Sequence, residues 1–399
     1  MARLLLIAPT SDGEDVGEAW STHQWVSLLG ARHDVTVLTY HKRGRTPASH
    51  QLPGVRVVEW AEPPLVGRAE RLNSMLKPGY VPFYVRARRW TRAALARGEQ
   101  FDVAHQLGPL ALRYPSPAIG LGLPCVVGPV GGSLESPPAF ASEEGGAPWF
   151  VGLRAVDQWR LRHDRLLRRT YEEAEVVIGI ADYVQDLLSS VRLRRFEVMS
   201  DTGVAFIQPP VERSGNDGPL ALLFVGRVIR TKGVRDAVRS LRHLTDVPVR
   251  LDVVGDGYDR STCQALAADL GVADRVRFHG RLSRAEVDVF YRTSDVFFFP
   301  SYREPGGIVV SEAMSFGLPL VVCARGGPAS TVDDTCGIRV QAVDPGQYAQ
   351  DLAGAVRQLA ADPARRIAMG EAARRRIEQI GLWDRKIERV EKLYADVSA

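Results

Sequence analysis

Apolar residues in this chain gather in short unbroken runs, and the stretches between the runs carry the spacing of helices. Leu4–Ala8 is the first run, uninterrupted by any polar residue, as a strand covered on both faces must be. A polar loop from Thr10 to Gly17 follows, then helical spacing over Trp20–Leu29, then a second strand at Asp34–Tyr40. Strand, loop, helix and strand in that order predict a parallel pair joined by a right-handed crossover. Further runs at Val55–Trp60, Val103–His105, Pro124–Gly128 and Val176–Ala181 continue the same grammar.

That grammar starts again at Leu220. Strands are predicted at Leu222–Val225, Val249–Val254, Val276–His279, Val296–Phe299 and Leu320–Cys323. They alternate with helices at Val234–Leu244, Ser261–Leu270, Arg284–Arg292 and Ile308–Phe316. Two α/β repeats, each an open parallel sheet between helices, account for this most simply. Between them Gln208–Pro219 (QPPVERSGNDGP) is dense in Pro, Gly, Asn and Asp, resists both helix and strand, and reads as a linker. The expected domains are therefore 1–207 and 220–381, with 208–219 between. The end of the chain is helical, Ala364–Ile380 and then Leu382–Ala395, broken at Gly381.

Composition narrows the class. Of 399 residues, 45% are hydrophobic and 25% charged, which is ordinary for globular domains. The 51 Lys and Arg against 47 Asp and Glu leave a net +4, too slight for a dedicated nucleic-acid binder, so no such partner is expected. Cys125, Cys263, Cys323 and Cys336 have neither the density of a disulfide framework nor the pairing of a zinc site. They read as small buried residues in a reducing compartment. No stretch reaches the roughly 18 apolar residues needed to cross a bilayer, and Leu4–Ala8 is too short for a signal peptide. A cytoplasmic location is expected.

The chemistry concentrates in Ser301–Gly317 (SYREPGGIVVSEAMSFG). A strand ends at Pro300, a loop carries Arg303, Glu304 and Pro305, and Gly306-Gly307 opens a helix through Glu312. Ligands of open α/β sheets sit outside the carboxyl ends of the strands, so this loop belongs to a site. The helix start offers unpaired N–H groups to a phosphate, and two glycines let that phosphate come close. Glu304 and Glu312 flank this anion site. Carboxylates beside a phosphate repel it unless the ligand also brings hydroxyl donors, so the pattern fits a sugar nucleotide. A capping Glu304 and a solvated Glu312 is the structural alternative.

A second segment supplies cations. Phe224-Val225-Gly226-Arg227 leaves a strand, and Thr231-Lys232-Gly233 precedes a helix, so Arg227 and Lys232 share one strand-to-helix loop where they can converge on a diphosphate. The segment is a near miss for a P-loop. Thr231 stands where the second Gly belongs and Gly233 where Ser or Thr belongs, which argues against ATP hydrolysis. Two solvated loop cations are the alternative here.

Gly226-Arg227-x4-Lys232-Gly233, Val254-Gly255-Asp256-Gly257, Phe278-His279-Gly280 and Glu304-x7-Glu312, in this order, resemble glycosyltransferase family four, the retaining nucleotide-sugar enzymes. The resemblance is strong from about Leu220 to Val340 and weaker before it. It implies an α/β GT-B architecture, two Rossmann-like domains facing across a cleft, with a tail helix at 382–399 crossing back to the first. It also implies that Arg227 and Lys232 hold the donor diphosphate. Glu304 would meet the transferred sugar with the amides of Gly306, Gly307 and Ile308, and Glu312 would take the ribose hydroxyls. Gly255–Gly257 and Phe278–Arg281, including His279 and Arg281, would frame the base. A dinucleotide fingerprint at Gly255-x-Gly257 lacks its third Gly, because Arg260 stands there.

In the first domain the family pattern implies a glycine loop, here Gly13 to Gly17, though without the usual adjacent Gly pair. It also implies a histidine near the reacting centre, here His105 at a strand end; a structural histidine is the alternative. Gly131 and Gly132, in Gly128-Pro129-Val130-Gly131-Gly132-Ser133, read either as a ligand-facing loop or as a plain turn. Asp333-Asp334 sits in a turn, and no metal or other cofactor is expected.

Two stretches are locally basic: Tyr84–Ala96 with Arg86, Arg88, Arg89 and Arg92, and Arg154–Arg169 with six arginines against two acids. They suit either peripheral contact with an anionic membrane or a solvated face. The expected function is metal-independent, retaining transfer of a hexose-type sugar, from UDP ahead of GDP, to a hydroxyl of a glycan, glycolipid or small molecule. A sugar-nucleotide epimerase on the same fold and a catalytically silent partner subunit are the other two readings.

Overall fold

A computed structural model describes residues 1–42, 44–63, 77–145, 154–211 and 218–398. It contains two wholly parallel sheets. The first has β1 (Arg3–Thr10), β2 (Asp34–His41), β3 (Arg56–Ala61), β4 (Val103–Gln106), β5 (Cys125–Val130), β6 (Val176–Gly179) and β7 (Phe196–Val198), in the order β3-β2-β1-β4-β5-β6-β7. The second has β8 (Leu220–Val225), β9 (Val249–Val254), β10 (Val276–Gly280), β11 (Val296–Phe299), β12 (Leu320–Cys323) and β13 (Gly337–Val340), in the order β10-β9-β8-β11-β12-β13. Both are the Rossmann order. Each sheet starts in its middle, builds outward to one side, then returns and builds outward to the other.

The apolar runs form strands because helices cover both faces of each sheet. Leu4 to Ala8 and Leu222 to Phe224 are fully buried. In the second sheet Phe224, Phe297 and Phe299 stack with ring centroids 5.5 and 5.7 Å apart. Burial of each such ring contributes about 2–3 kcal/mol. The edge strands β7 and β13 carry no apolar run and escape a pattern-based reading.

The chain forms two compact units. The first comprises Met1–Ser133, Trp149–Asp201 and Lys386–Ala399, the second Leu134–Pro148 and Thr202–Arg385. This differs from the expected division in two ways. The crossing that leads into the second repeat lies at Asp201–Thr202 rather than after residue 207. The segment 134–148, far from the second repeat in sequence, belongs to the second unit because Phe140 is fully buried in that unit's core. Gln208, the start of the expected linker, is anchored in the second unit by Ser315 and Arg292; residues 212–217 lie outside the described residues.

The last helix, Trp383–Ser398, starts in the second unit, where the Trp383 amide donates to the Val204 carbonyl at 3.2 Å. From Lys386 onward it belongs to the first. Ile387, Val390, Leu393 and Tyr394 are buried there, and Glu391 accepts from His33 at 3.0 Å. Lys386 is itself buried and donates to the carbonyl and hydroxyl of Ser200 at 2.9 and 2.6 Å. Burial pushes its ammonium down to about 7.

Candidate functional site

In a parallel sheet every loop that follows a strand leaves the same edge. The second sheet reverses direction between β8 and β11, which pair directly (Val296 with Leu222, Phe297 with Leu223). Helices therefore diverge from this point and leave a crevice at the strand ends. The two loops beside it are 226–233, after β8, and 300–307, after β11. Between them they carry Arg227, Lys232, Glu304, Gly306 and Gly307.

The loops are locked together by backbone contact. Gly233 has φ +80°, and a Cβ there would lie 2.0 Å from the Pro300 carbonyl oxygen, so no other residue fits. The Ser301 hydroxyl donates to the Thr231 carbonyl at 3.1 Å. Across this junction Lys232 donates directly to the Glu304 carboxylate, both side chains being mostly buried. The Lys232 ammonium also lies 5.9 Å from the centre of the Phe299 ring. Arg227 is exposed and makes no ion pair among the described residues. Gly307, at φ +91°, caps the helix Ile308–Ser315, whose first amides, including that of Ile308, have no intrahelical acceptors.

Glu312, in the second turn of that helix, is held by two donors. Tyr291 donates its hydroxyl at 3.0 Å and Arg284 its guanidinium. The carboxylate is fixed in direction and keeps acceptor capacity for a further hydroxyl. Tyr291 is fully buried, and that burial, with Glu312 beside it, pushes its phenol well above the usual range. Gly226, Gly255 and Gly257 line up on adjoining loops: the Gly255 amide donates to the Gly280 carbonyl at 2.7 Å, and Val228 donates to Asp256 at 3.0 Å. Arg281 is exposed. The His279 ring bonds Asp252 at 2.8 Å and packs on Phe290 at 4.6 Å. That nitrogen is spent on the sheet, so His279 borders the site through its packing.

The first unit corrects one expectation. His105 sits on β4, but it is fully buried and both ring nitrogens are engaged, with Tyr394 at 2.5 Å and the Gly128 carbonyl at 2.7 Å. A carbonyl only accepts, so Nε2 carries the proton and Nδ1 accepts from the tyrosine. Burial lowers the ring's pKa to about 4 and keeps it neutral. His105 is a core residue and has no free nitrogen to offer a sugar. Gly13 and Gly17 lie on the loop after β1. The Gly13 amide donates to Gln51 at 2.7 Å, and Gly17, at φ +66°, precedes the helix Glu18–Gly30. Gly131 lies against Ile180, and the Gly132 amide donates to Tyr183 at 3.1 Å. That loop is bound into the unit's own packing.

Sequence reading missed two supports of the site. One is the Arg284–Tyr291 pair that aims Glu312. The other is Gly326-Gly327 after β12, where the Gly327 amide donates to the Glu304 carbonyl at 2.9 Å. The adjacent glycines at Arg325-Gly326-Gly327-Pro328 were the available signal. Among the described residues, no group of three or more His, Cys, Asp or Glu is placed to hold a metal. No described helix is long and apolar enough to cross a membrane. All four cysteines are free and buried.

A family profile described as "Glycosyl transferases group 1" matches residues 211–376, and one described as "Glycosyl transferase 4-like domain" matches 16–200. The chain is 35% identical over 246 residues to a D-inositol 3-phosphate glycosyltransferase of Xylanimonas cellulosilytica, an alignment covering 59% of this chain and 57% of that relative. The match thus spans little more than half of the relative's length. Among solved structures, sucrose-phosphate synthase from Thermosynechococcus elongatus superposes with a TM-score of 0.67 over 100% of this chain and 99% of that one, at 20% identity. HepE of Anabaena, solved in complex with UDP-glucose, gives a TM-score of 0.58 over 99% of each chain at 16% identity. Two glycosyltransferase profiles account between them for most of the sequence, and each sheet has the Rossmann order. The chain belongs to the family-four glycosyltransferases and has their GT-B fold.

Proposed function

We propose that this glycosyltransferase moves a hexose-type sugar from a UDP-sugar to a hydroxyl of a glycan, glycolipid or small-molecule acceptor, in the cytoplasm, with retention at the anomeric carbon and without a metal. The observation that carries the reading is the meeting of Lys232 and Glu304 beside Arg227 and the helix start at Gly307. Cations, amide donors and carboxylates carried on these two adjoining loops are the mixture a nucleotide diphosphate sugar needs, and this supports the reading. HepE, which shares the fold, was solved with UDP-glucose, and this favours UDP.

In this reading the barrier is charge separation as the bond from sugar to phosphate breaks. Arg227, Lys232 and the amides of Gly307 and Ile308 stabilise the departing diphosphate by fixed charge, the role a metal fills in other transferases. Lys232 exchanges Glu304 for phosphate when the donor binds, and Glu304 becomes available to the sugar hydroxyls. Glu312, held by Arg284 and Tyr291, accepts from the ribose. The departing phosphate takes the acceptor's proton on the same face, so configuration is retained and no enzyme nucleophile is needed. Incubation with UDP-glucose, UDP-galactose and GDP-mannose, with and without a polyol acceptor in the presence of EDTA, tests this. Acceptor-dependent release of UDP with an α-linked product by NMR is expected. Turnover without acceptor would point to the epimerase, and binding without turnover to the silent subunit.

The first unit is also read as a membrane-facing surface. Val81 is 70% exposed, Trp159 60% and Leu166 45%. They lie on the helices Tyr80–Ala96, Arg154–His163 and Arg165–Glu173, which also expose Arg86, Arg89, Arg92, Arg162 and Arg165. Exposed apolar tips among arginines suit the headgroup region of an anionic bilayer. The protein is expected to sediment with phosphatidylglycerol vesicles at low salt and to come off at high salt. Equal sedimentation with pure phosphatidylcholine would contradict the charge argument.

A further inference from the structure

The segment Leu134–Gly145 follows β5 of the first unit in the chain, yet every contact described for it is with the second unit. It touches three of the loops at the strand ends of the second sheet, those after β8, β11 and β12. On the loop after β8, Glu143 pairs with Arg230 at 3.0 Å and with Arg239, on the following helix, at 2.9 Å. Arg230 has no exposed surface; it also pairs with buried Asp236 at 2.6 Å and lies 5.5 and 5.2 Å from the ring centres of Phe140 and Tyr302. On the loop after β11, Glu144 and Ser136 both take Arg303, at 3.1 and 3.2 Å. On the loop after β12, the Glu135 carbonyl accepts from Arg325 at 2.9 Å.

The residues gripped are neighbours of the ones that face the crevice. Arg230 lies two positions before Lys232, Arg303 one before Glu304, and Arg325 two before Gly327, whose amide bonds the Glu304 carbonyl. Phe140 anchors the segment, with its ring centroid 4.5 Å from Tyr302 and 5.9 Å from Tyr348. Surface ion pairs between mobile side chains hold little, but both partners here are mostly buried: Arg303 is 22% exposed and Glu144 13%. A pair of that kind fixes the backbone on which it stands.

We propose that Glu144 is a positioning residue for the transferred sugar: by holding Arg303 it fixes the loop that presents Glu304, and the 134–145 segment is thereby part of the donor site's specificity apparatus. The inference rests on the donor reading given above. Its chemistry separates the two ends of the donor. The diphosphate meets Arg227 and Lys232, which Glu144 does not touch, whereas the sugar meets Glu304. Loosening the Glu304 loop lowers affinity for the sugar end and leaves the nucleotide end alone.

The test is calorimetric binding of UDP and of UDP-glucose to wild type, Glu144→Ala, Glu144→Gln, Arg303→Ala, the double variant Glu144→Ala/Arg303→Ala, and Lys232→Ala. Glu144→Ala is expected to weaken UDP-glucose about tenfold while UDP stays within twofold, and Glu144→Gln, which still accepts from Arg303, is expected to recover most of the loss. The double variant should be no worse than either single one. A merely structural role would weaken UDP and UDP-glucose alike, and that result overturns the proposal. So does Glu144→Ala binding UDP-glucose as wild type does while Lys232→Ala loses both ligands; the donor reading then stands alone. If Lys232→Ala binds both ligands as wild type does, the donor reading itself fails and this inference with it. Melting temperature identifies any variant that fails to fold, and Ser136→Ala, which removes only one bond to Arg303, then serves as the milder probe, with a twofold to threefold loss confined to UDP-glucose.

Discussion

The two sheets share their strand order, and the loops at their reversal points carry opposite charge. After β1 the first unit has Asp12, Glu14, Asp15 and, opening the helix, Glu18, with no basic residue. After β8 the second unit has Arg227, Arg230 and Lys232, with no acid. The topology makes a crevice in each case, and the residues decide what each can hold. An acidic loop repels phosphate and accepts from hydroxyls, whereas a basic one draws phosphate in. The neighbouring strand differs too. β11 ends in a loop whose Glu304 reaches Lys232, whereas β4 carries His105, sealed in the core by Tyr394 and Gly128.

The strongest way to break this contrast is at Lys232. Lys232→Ala should lower kcat/KM for the donor by about 100- to 1,000-fold, the usual cost of removing one preorganised charge. Glu14→Gln on the acidic loop should leave UDP affinity within about twofold, since that loop holds no phosphate in this reading. Equal losses in UDP titrations of the two variants would erase the distinction. Gly233→Ala comes next. A Cβ 2.0 Å from the Pro300 oxygen must push the two site loops apart. A donor KM raised about 10- to 100-fold is expected, along with a loss of roughly 2–3 kcal/mol in denaturant unfolding.

Glu312→Gln is a smaller change, because the amide still accepts a hydroxyl while losing the charge that Arg284 pairs with. An approximately tenfold rise in donor KM with kcat nearly unchanged is expected in steady-state kinetics. The smallest effect on turnover belongs to His105→Gln, within about threefold per folded molecule, where a catalytic histidine would lose far more. Stability carries its signature instead. Between about pH 6.5 and about 4 the unfolded chain binds a proton that buried His105 refuses. Its contribution is complete above about pH 6.5 and is lost as the pH falls towards 4, roughly 3 kcal/mol in all. Urea midpoints of wild type should therefore fall more steeply than those of His105→Gln across that window.

What could be read in the sequence was what local pattern determines. Strands buried on both faces announce themselves as unbroken apolar runs, and Gly-Arg-x4-Lys-Gly and Glu-x7-Glu sit beside them at fixed offsets. Phe196-Glu197-Val198 and Gly337-Ile338-Arg339-Val340 were missed because an edge strand, with one side open, tolerates a charge and needs no run. His105 was visible as a strand residue, but its exposure was not, because the hydroxyl that fills its Nδ1 lies 289 residues away. The segment at 134–145 shows no periodicity, and Pro, Ser and Glu make up most of it. Its place is set by Phe140 finding Tyr302 and Tyr348, a contact that no local rule encodes.

Neither unit is a continuous stretch of chain, and this bears on how the protein is made. The first unit needs Tyr394, Lys386 and the rest of the final helix to complete its core, yet about 185 residues separate Asp201 from Lys386. At roughly 5–20 residues per second, a ribosome takes about 10–40 s to cover that interval. Through that time the buried slot for the last helix stands open, with the Nδ1 of His105 lacking the Tyr394 hydroxyl and apolar surface facing solvent. The second unit meanwhile has its segment 134–148 already in hand and can close first. Synthesis order and assembly order are therefore inverted, and the half of the protein made first is finished last.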